Sequence, residues 1–306
     1  KRLLPIYRRA DIKAPVARIK EWDYYLVAND HFAVALTIAD NGYMGLISAS
    51  VLDFEKPWEQ TTSVMTAFPM GKYKLPETSA AGVTSYTDSR VNMRFEAANG
   101  VRHISCVFHK FLRDETLEAE LTLTDEPQHS MVIATPFEKP KAFYYNQKIN
   151  CMRADGFMRL GGKTYDFSVE DSFATLDWGR GVWTYDNTWY WGNGNGTVNG
   201  HRVGFNIGYG FGDTSAASEN MIIYDGTAHK LSKVSFNIPA DSYTKPWTFT
   251  SDDGRFEMDF VPVIDRAART NALIIESDQH QVFGRFTGKM VLDGGDVIEL
   301  KDFMGF

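Results

Sequence analysis

The chain has 306 residues, 43% of them hydrophobic and 14% aromatic, with a formal net charge of -7. That length accommodates one large domain or two of ordinary size, and the apolar share is enough for a full core. The acidic balance, with a pI near 5.5, argues against nucleic acid or anionic membrane as a main partner, and no apolar run is long enough to span a bilayer.

Residues 1–20 are basic and carry two prolines, as an arm or edge segment would. From Trp22 the chain reads as a meander of strands over 23–28, 31–38 and 43–53, with turns at Asn29-Asp30 and Asn41-Gly42. Residues 54–80 lack pattern and carry three prolines, which predicts a long loop able to fold over a pocket mouth. Strands resume at 83–87, 90–97, 101–111 and 115–124. The Pro-rich stretch 125–140 is the expected boundary between two β domains, 1–135 and 136–306. Beyond it, strands are expected at 142–152, 156–160 and 163–169, with a short helical piece near Val169–Thr175. The C-terminal part continues with strands at 221–224, 230–238, 247–251, 255–263, 272–276 and 282–292, and a second short helical piece at Ala267–Thr270. Turn signals every 8 to 12 residues or so predict an all-β fold of sandwich or barrel type. Cys106 and Cys151 do not form a disulfide framework, and reduced core thiols are expected. The chain begins with Lys rather than Met, which leaves a removed leader open; the cytoplasm is the default compartment.

Residues 172–219 hold four of the seven tryptophans together with many glycines and several ionisable groups. Read with a period of two, Trp189, Trp191, Asn193 and Asn195 share one face. In the next run Val203, Phe205, Ile207, Tyr209 and Phe211 form an apolar face. Gly204, Asn206, Gly208 and Gly210 lie opposite. A strand face stripped to glycine invites close approach, either by a packed element such as Trp189 and Trp191 or by a ligand.

Several motifs are absent. The GNGNG run at 192–196 lacks the Lys-Ser/Thr ending and the following helix of a phosphate loop. No HExxH, CxxC or Gly-x-Ser-x-Gly occurs, and His103 and His109 do not suit one metal, so neither a metal nor a cofactor is expected. The carboxylates carry more. Asp177 beside Trp178 is a candidate general acid if desolvated, or the ionised partner of Arg180 if paired. Asp213 and Glu219 are candidate partner base or nucleophile, or else caps of a turn. Asp265-Arg266 reads as a structural pair. Trp178, Arg180, Trp189, Trp191, Asn193, Asn206, Tyr209 and His280 are candidate substrate contacts; the alternative for the tryptophans is plain core.

ATLDWGRGVW (174–183), NTWYWGNGNG (187–196), GFNIGYGFGD (204–213), SEN (218–220), DGRFEMDF (253–260) and HQVFGRFTG (280–288) together resemble the bacterial domain-of-unknown-function 2804 family. That family is distantly similar to the AttH and carotenoid hydratase group. The resemblance implies two packed lipocalin-like β domains, with hydratases and cyclases that protonate an alkene in the wider group. No motif carries a catalytic residue over.

Three functions follow as expectations. Carboxylates interleaved with Trp and Asn suit an enzyme that hydrolyses or eliminates at a glycosidic centre of a polyhydroxylated small molecule. In that reading Asp177 is the acid, Asp213 or Glu219 the partner, and Arg180 orients an oxygen. The resemblance suggests instead a hydratase, cyclase or isomerase of an isoprenoid-like substrate. A lipocalin-type binding protein without catalysis is the third.

Overall fold

Antiparallel strands make up most of the chain, with two single 3-10 turns, Arg9–Asp11 and Val16–Arg18, before the first. The computed structural model describes residues 7–272 and 275–306, with backbone alone for 269–272 and 275–277. Residues 1–6 of the expected arm lie outside the described residues.

A first meander comprises β1 (Lys20–Ala28), β2 (Phe32–Asp40), β3 (Met44–Asp53) and β4 (Trp58–Ala67). A second comprises β5 (Gly82–Thr87), β6 (Val91–Ala98), β7 (Val101–Leu112) and β8 (Glu115–Thr124). Then come β9 (Met131–Pro136), the long β10 (Phe143–Leu160), β11 (Lys163–Phe167) and β12 (Phe173–Val182). These twelve strands form one sheet, ordered β4-β3-β2-β1-β12-β10-β8-β7-β6-β5, with β9 and β11 also paired to β10. The sheet curls on itself: Thr62 Oγ1 of β4 donates to the Phe111 carbonyl of β7 at 2.6 Å.

The second sheet contains β13 (Tyr190–Val198), β14 (His201–Tyr209), β15 (Met221–Tyr224), β16 (Thr227–Lys230) and β17 (Val234–Asn237). It is completed by β18 (Trp247–Ser251), β19 (Phe256–Ala272), β20 (Ile275–Val291) and β21 (Val297–Gly305). Its order is β16-β15-β14-β13-β21-β20-β19-β18-β17.

The Asn-Gly and Asp-Gly signals placed hairpins correctly. Asn99-Gly100, Asn199-Gly200 and Asp225-Gly226 all take positive φ at both residues, as tight hairpins with right-handed strands require. Other expectations are corrected. Residues 58–67 of the expected loop are β4, and the true loop is 68–81. Val169–Thr175 is not helical: Ser172 closes a turn onto Ser168 at 2.8 Å, and β12 starts at Phe173. Ala267–Thr270 belongs to β19, where long β pairing overrides the local preference of Ala. The strand expected at 272–276 lies partly outside the described residues. Residues 131–136 of the stretch 125–140 form β9 of the first sheet, and the chain passes from the first sheet to the second between Val182 and Tyr190.

Strand alternation sorts the side chains into three apolar layers. Tyr25, Val27, Leu176 and Trp178 point into the first sheet's core with Phe95, Ile104 and Phe108. Phe205, Phe249, Phe256, Phe260 and Phe286 fill the second. Tyr24, Leu26, Phe54, Ile264, Phe283 and Phe306 form the layer between the sheets. Each such buried side chain contributes about 1.5–3 kcal/mol. The strand β12 is buried at all ten positions because both its faces are covered. Its outer face, Thr175 and Asp177, therefore reaches the second sheet rather than water.

A bulge in the first sheet places Cys151 against the second. The pairing of β10 with β12 shifts between Ile149 and Met152, and Cys151 adopts φ +58° there. Its buried thiol lies beneath Gly204 of β14, where a Cβ would sit 2.5 Å from Cys151 Sγ and 2.9 Å from the Gly194 carbonyl. Gly204→Ala should therefore cost about 1–3 kcal/mol of overpacking in a urea melt. Adding Cys151→Ala should restore part of the loss, since the backbone contact remains. An unchanged midpoint for Gly204→Ala would show that the sheets do not pack at this distance.

Candidate functional site

Chemistry concentrates where β1, β12 and β10 present their second face to β13 and β14. Trp22, Tyr24 and Leu26 alternate along β1, and Thr175 and Asp177 along β12. Tyr144, Asn146, Lys148 and Asn150 alternate along β10. Tyr24 is paired with Asp177 in register, and Asp177 with Lys148.

Asp177 is 7% exposed. Trp22 Nε1 donates to Asp177 Oδ2 at 3.0 Å, and Asn146 Nδ2 to Asp177 Oδ1 at 2.6 Å. Burial raises its pKa above the usual aspartate value; Lys148 and the two donors oppose the rise, and the Glu219 charge adds to it. Burial also raises the phenols of Tyr144 and Tyr24 on the same face, so both stay neutral at ordinary pH.

The second sheet supplies the rest. Glu219 is ion-paired and hydrogen-bonded to Lys148. Asn206 Nδ2 donates to Glu219 Oε2 at 3.0 Å and to the Glu219 carbonyl at 2.9 Å. Trp191 Nε1 donates to Asn206 Oδ1 at 2.7 Å, and the Lys148 ammonium lies 4.6 Å from the Trp191 ring centre. Gly208 is where this packing needs glycine, because a Cβ there would be 2.7 Å from Glu219 Oε1.

A chain of amides continues the face. Thr175 Oγ1 donates to Asn193 Oδ1 at 2.9 Å, and Asn195 Nδ2 to Thr175 Oγ1 at 2.8 Å. Asn150 Nδ2 donates to Asn195 Oδ1 at 3.0 Å. These bonds tie the sheets together across the cleft and satisfy groups that are costly to bury unpaired.

An aromatic cluster and a cavity flank this centre. On one side the rings of Trp22, Tyr144, Trp183 and Phe211 pack at 4.8–5.7 Å, Trp22 tilted on Tyr144 and the other pairs edge to face, with Trp189, 43% exposed, against Phe211. On the other lies a cavity of about 570 Å³, lined by Leu26, Phe173, Asn193, Phe283 and Phe306 among others. Asp177 is one pleat beyond Thr175, about 6.6 Å along the strand, and Thr175 bonds the Asn193 that lines the cavity.

The candidates from sequence thus separate by strand parity. Asp177, Trp191, Asn193, Asn206 and Glu219 meet between the sheets, and of these Asn193 lines the cavity. Trp178 and Arg180, one and three residues from Asp177, point to the opposite face. Trp178 is core and Arg180 is fully buried, paired with Asp23 at 2.9 Å and donating to the Trp22 and Pro76 carbonyls at 2.7 and 2.9 Å. The expected Asp177–Arg180 contact does not form, and Trp22 and Tyr144 flank Asp177 in place of Trp178. Asp213 is exposed and accepts from the Ser215 amide at 2.9 Å, a turn cap. Tyr209 stacks on Tyr190 at 4.7 Å, away from the cleft. His280 pairs with Asp265 at 2.8 Å and stacks on Tyr243. Arg266 does not pair with its neighbour Asp265 and instead donates to Ser50 Oγ at 2.7 Å. Sequence reading missed Trp22, Tyr24, Tyr144, Asn146 and Lys148. Asn146, Lys148 and Asn150 fall at every second position of β10, but Gln147 between them blurs the alternation. Among the described residues no group of three or more His, Cys, Asp or Glu could hold a metal, and no helix is long and apolar enough to cross a membrane.

Two curled antiparallel sheets packed across a buried polar network, with a cavity beside it, define a two-domain lipocalin-like protein. The fold is similar to an AttH-type protein from Nitrosomonas europaea, with a TM-score of 0.55 at 12% identity over 100% of this chain and 98% of that one. It is similar to kievitone hydratase from Nectria haematococca, with a TM-score of 0.54 at 10% identity over 98% and 91%. It is also similar to CghA with Sch210972, with a TM-score of 0.57 at 11% identity over 94% and 86%. No curated protein matches significantly. The chain belongs to the domain of unknown function family DUF2804, whose model matches residues 1–306.

Proposed function

We propose that the protein is an enzyme of the hydratase, cyclase or isomerase kind, acting on a lipophilic small molecule bound between the sheets. One observation carries the reading: the Asp177 carboxyl is buried beside the Trp22 indole with its pKa raised by that burial. A buried carboxyl whose pKa is raised has the character of a general acid.

In this reading Asp177 gives its proton to an electron-rich carbon of the substrate. Each of its oxygens accepts one bond from the protein and keeps a second lone-pair site for the proton. The ring faces of Trp22 and Tyr144 stabilise the cation that develops. Loss of a different proton gives an isomer, and addition of water gives a hydrate; either returns the acid for the next turnover. The resemblance to a hydratase is one of fold and supports the reading only as analogy.

The glycoside-cleaving alternative requires a second carboxylate free to act as base or nucleophile. Glu219 faces the same cleft, but Lys148 and Asn206 occupy its Oε2. That favours one-acid chemistry. A non-catalytic binding protein would have no use for a desolvated acid on the cleft wall.

The test is a thermal-shift screen of unsaturated lipophilic compounds against oligosaccharides. Stabilising compounds are then incubated in deuterated water and followed by mass spectrometry. The expected result is a product bearing carbon-bound deuterium, formed by the native protein and not by Asp177→Asn. Turnover of oligosaccharides alone, or equal turnover by Asp177→Asn, would sink the proposal.

A further inference from the structure

The cavity beside the amide chain has a wall and a rim of different chemistry. Leu26, Phe173, Phe283, Phe303 and Phe306 make its inner wall apolar. Its rim carries Asp30, Glu170, Asp171, Glu299 and Asp302, with Lys301 the cation among them. These acids come from three separate parts of the chain: the β1–β2 turn, the β11–β12 connection and β21. Arg285 answers Asp30 at 2.7 Å. Among the described residues, no ion pair joins Glu170, Asp171, Glu299 or Asp302 to a lysine or arginine.

Converging like charges around a low-dielectric opening focus the field and concentrate counter-ions there. The volume, about 570 Å³, lies within the range of small-molecule sites. We infer that this cavity binds an amphipathic cation, with an aromatic or alkyl body against the phenylalanines and an ammonium group at the carboxylate rim. The inference adds a head group to the ligand of the proposed cleft and rests on that reading only for the cleft being the ligand site.

Three probes with one body isolate the head group: 4-phenylbutylammonium, 4-phenylbutanol and 4-phenylbutyrate, titrated calorimetrically into the native chain. The ammonium should bind more tightly than the carboxylate by about tenfold or more at low salt, as two to four partly exposed charge contacts allow. That preference should shrink as salt rises. Glu299→Gln/Asp302→Asn should weaken the ammonium by roughly three- to tenfold and leave the alcohol nearly unchanged. Ala28→Phe, which fills the wall, should weaken all three. Binding of none of the probes, equal affinity for all, or an ammonium preference untouched by the rim variant would each overturn the inference. Asp177→Asn separates the two proposals. It should keep the ammonium preference, so loss of that preference with Asp177-dependent turnover intact would fell only this inference. The preference without Asp177-dependent turnover would fell only the catalytic reading.

Discussion

Asp177→Asn is expected to lower turnover of any substrate found for the cleft by about 10²–10⁴-fold, the usual contribution of a positioned proton donor. The geometry should survive, because the Asn carbonyl oxygen can still accept from Asn146 or Trp22. In the native protein kcat should fall as pH rises through the folded-state pKa of Asp177, since the acid must be protonated to act. Stability gives a second readout that needs no substrate. The folded-state pKa is raised above the usual aspartate value by burial, so the folded chain holds the proton where the unfolded chain releases it. Native stability therefore carries a penalty that is absent at low pH, grows as pH rises above about 4, and is complete above the folded pKa. Asn has no such penalty. Chemical denaturation should show Asp177→Asn gaining on the native protein as pH rises through that window, then running parallel. A gain that shrinks with rising pH would mean that the folded state holds Asp177 ionised, and the general-acid role would fall with it.

Breaking the Lys148–Glu219 pair is expected to have the largest effect on stability. The two side chains are 5% and 13% exposed, so each would be left as an uncompensated charge between the sheets. Lys148→Met or Glu219→Gln alone should destabilise by about 3–5 kcal/mol. The double variant Lys148→Met/Glu219→Gln should recover most of that loss, because replacing both partners removes both desolvation costs. The lysine variant has a further consequence at Asp177, whose pKa the Lys148 charge lowers. Its removal should push that carboxyl higher and move the acid limb of any pH–rate profile upward, which a purely structural pair would not do. Additive losses in the double variant would show that the charges are solvated and do not couple.

Much of the strand pattern was legible because its causes are local. Period-two alternation and the Asn-Gly and Asp-Gly turns come from the backbone of a few adjacent residues. The same alternation placed Trp191, Asn193 and Asn195 on one face and Asn206 on the glycine-lined face opposite Phe205, and the structure keeps both. Two of the missed strands, β12 and β4, offered no contrast. The residues of β12 are buried on both faces, so no polar residue marks a solvent side, and β4 is a half-exposed edge with no apolar stripe.

The amino-acid sequence by itself determined an all-β chain, a family, and a motif-rich stretch that contributes Asp177, Trp191, Asn206 and Glu219 to one cleft. Tertiary structure decided what each group does. Asp177 and Arg180 are near neighbours in sequence but lie on opposite faces of a strand, so one enters the cleft and the other pairs with Asp23 inside the first core. Asp177 instead meets Trp22, 155 positions away, and Asn146, 31 positions away. Glu219 meets Lys148 across 71. A carboxyl group's protonation depends on what lies within a few ångströms through space, and those neighbours are chosen by sheet pairing that no local window of the chain contains.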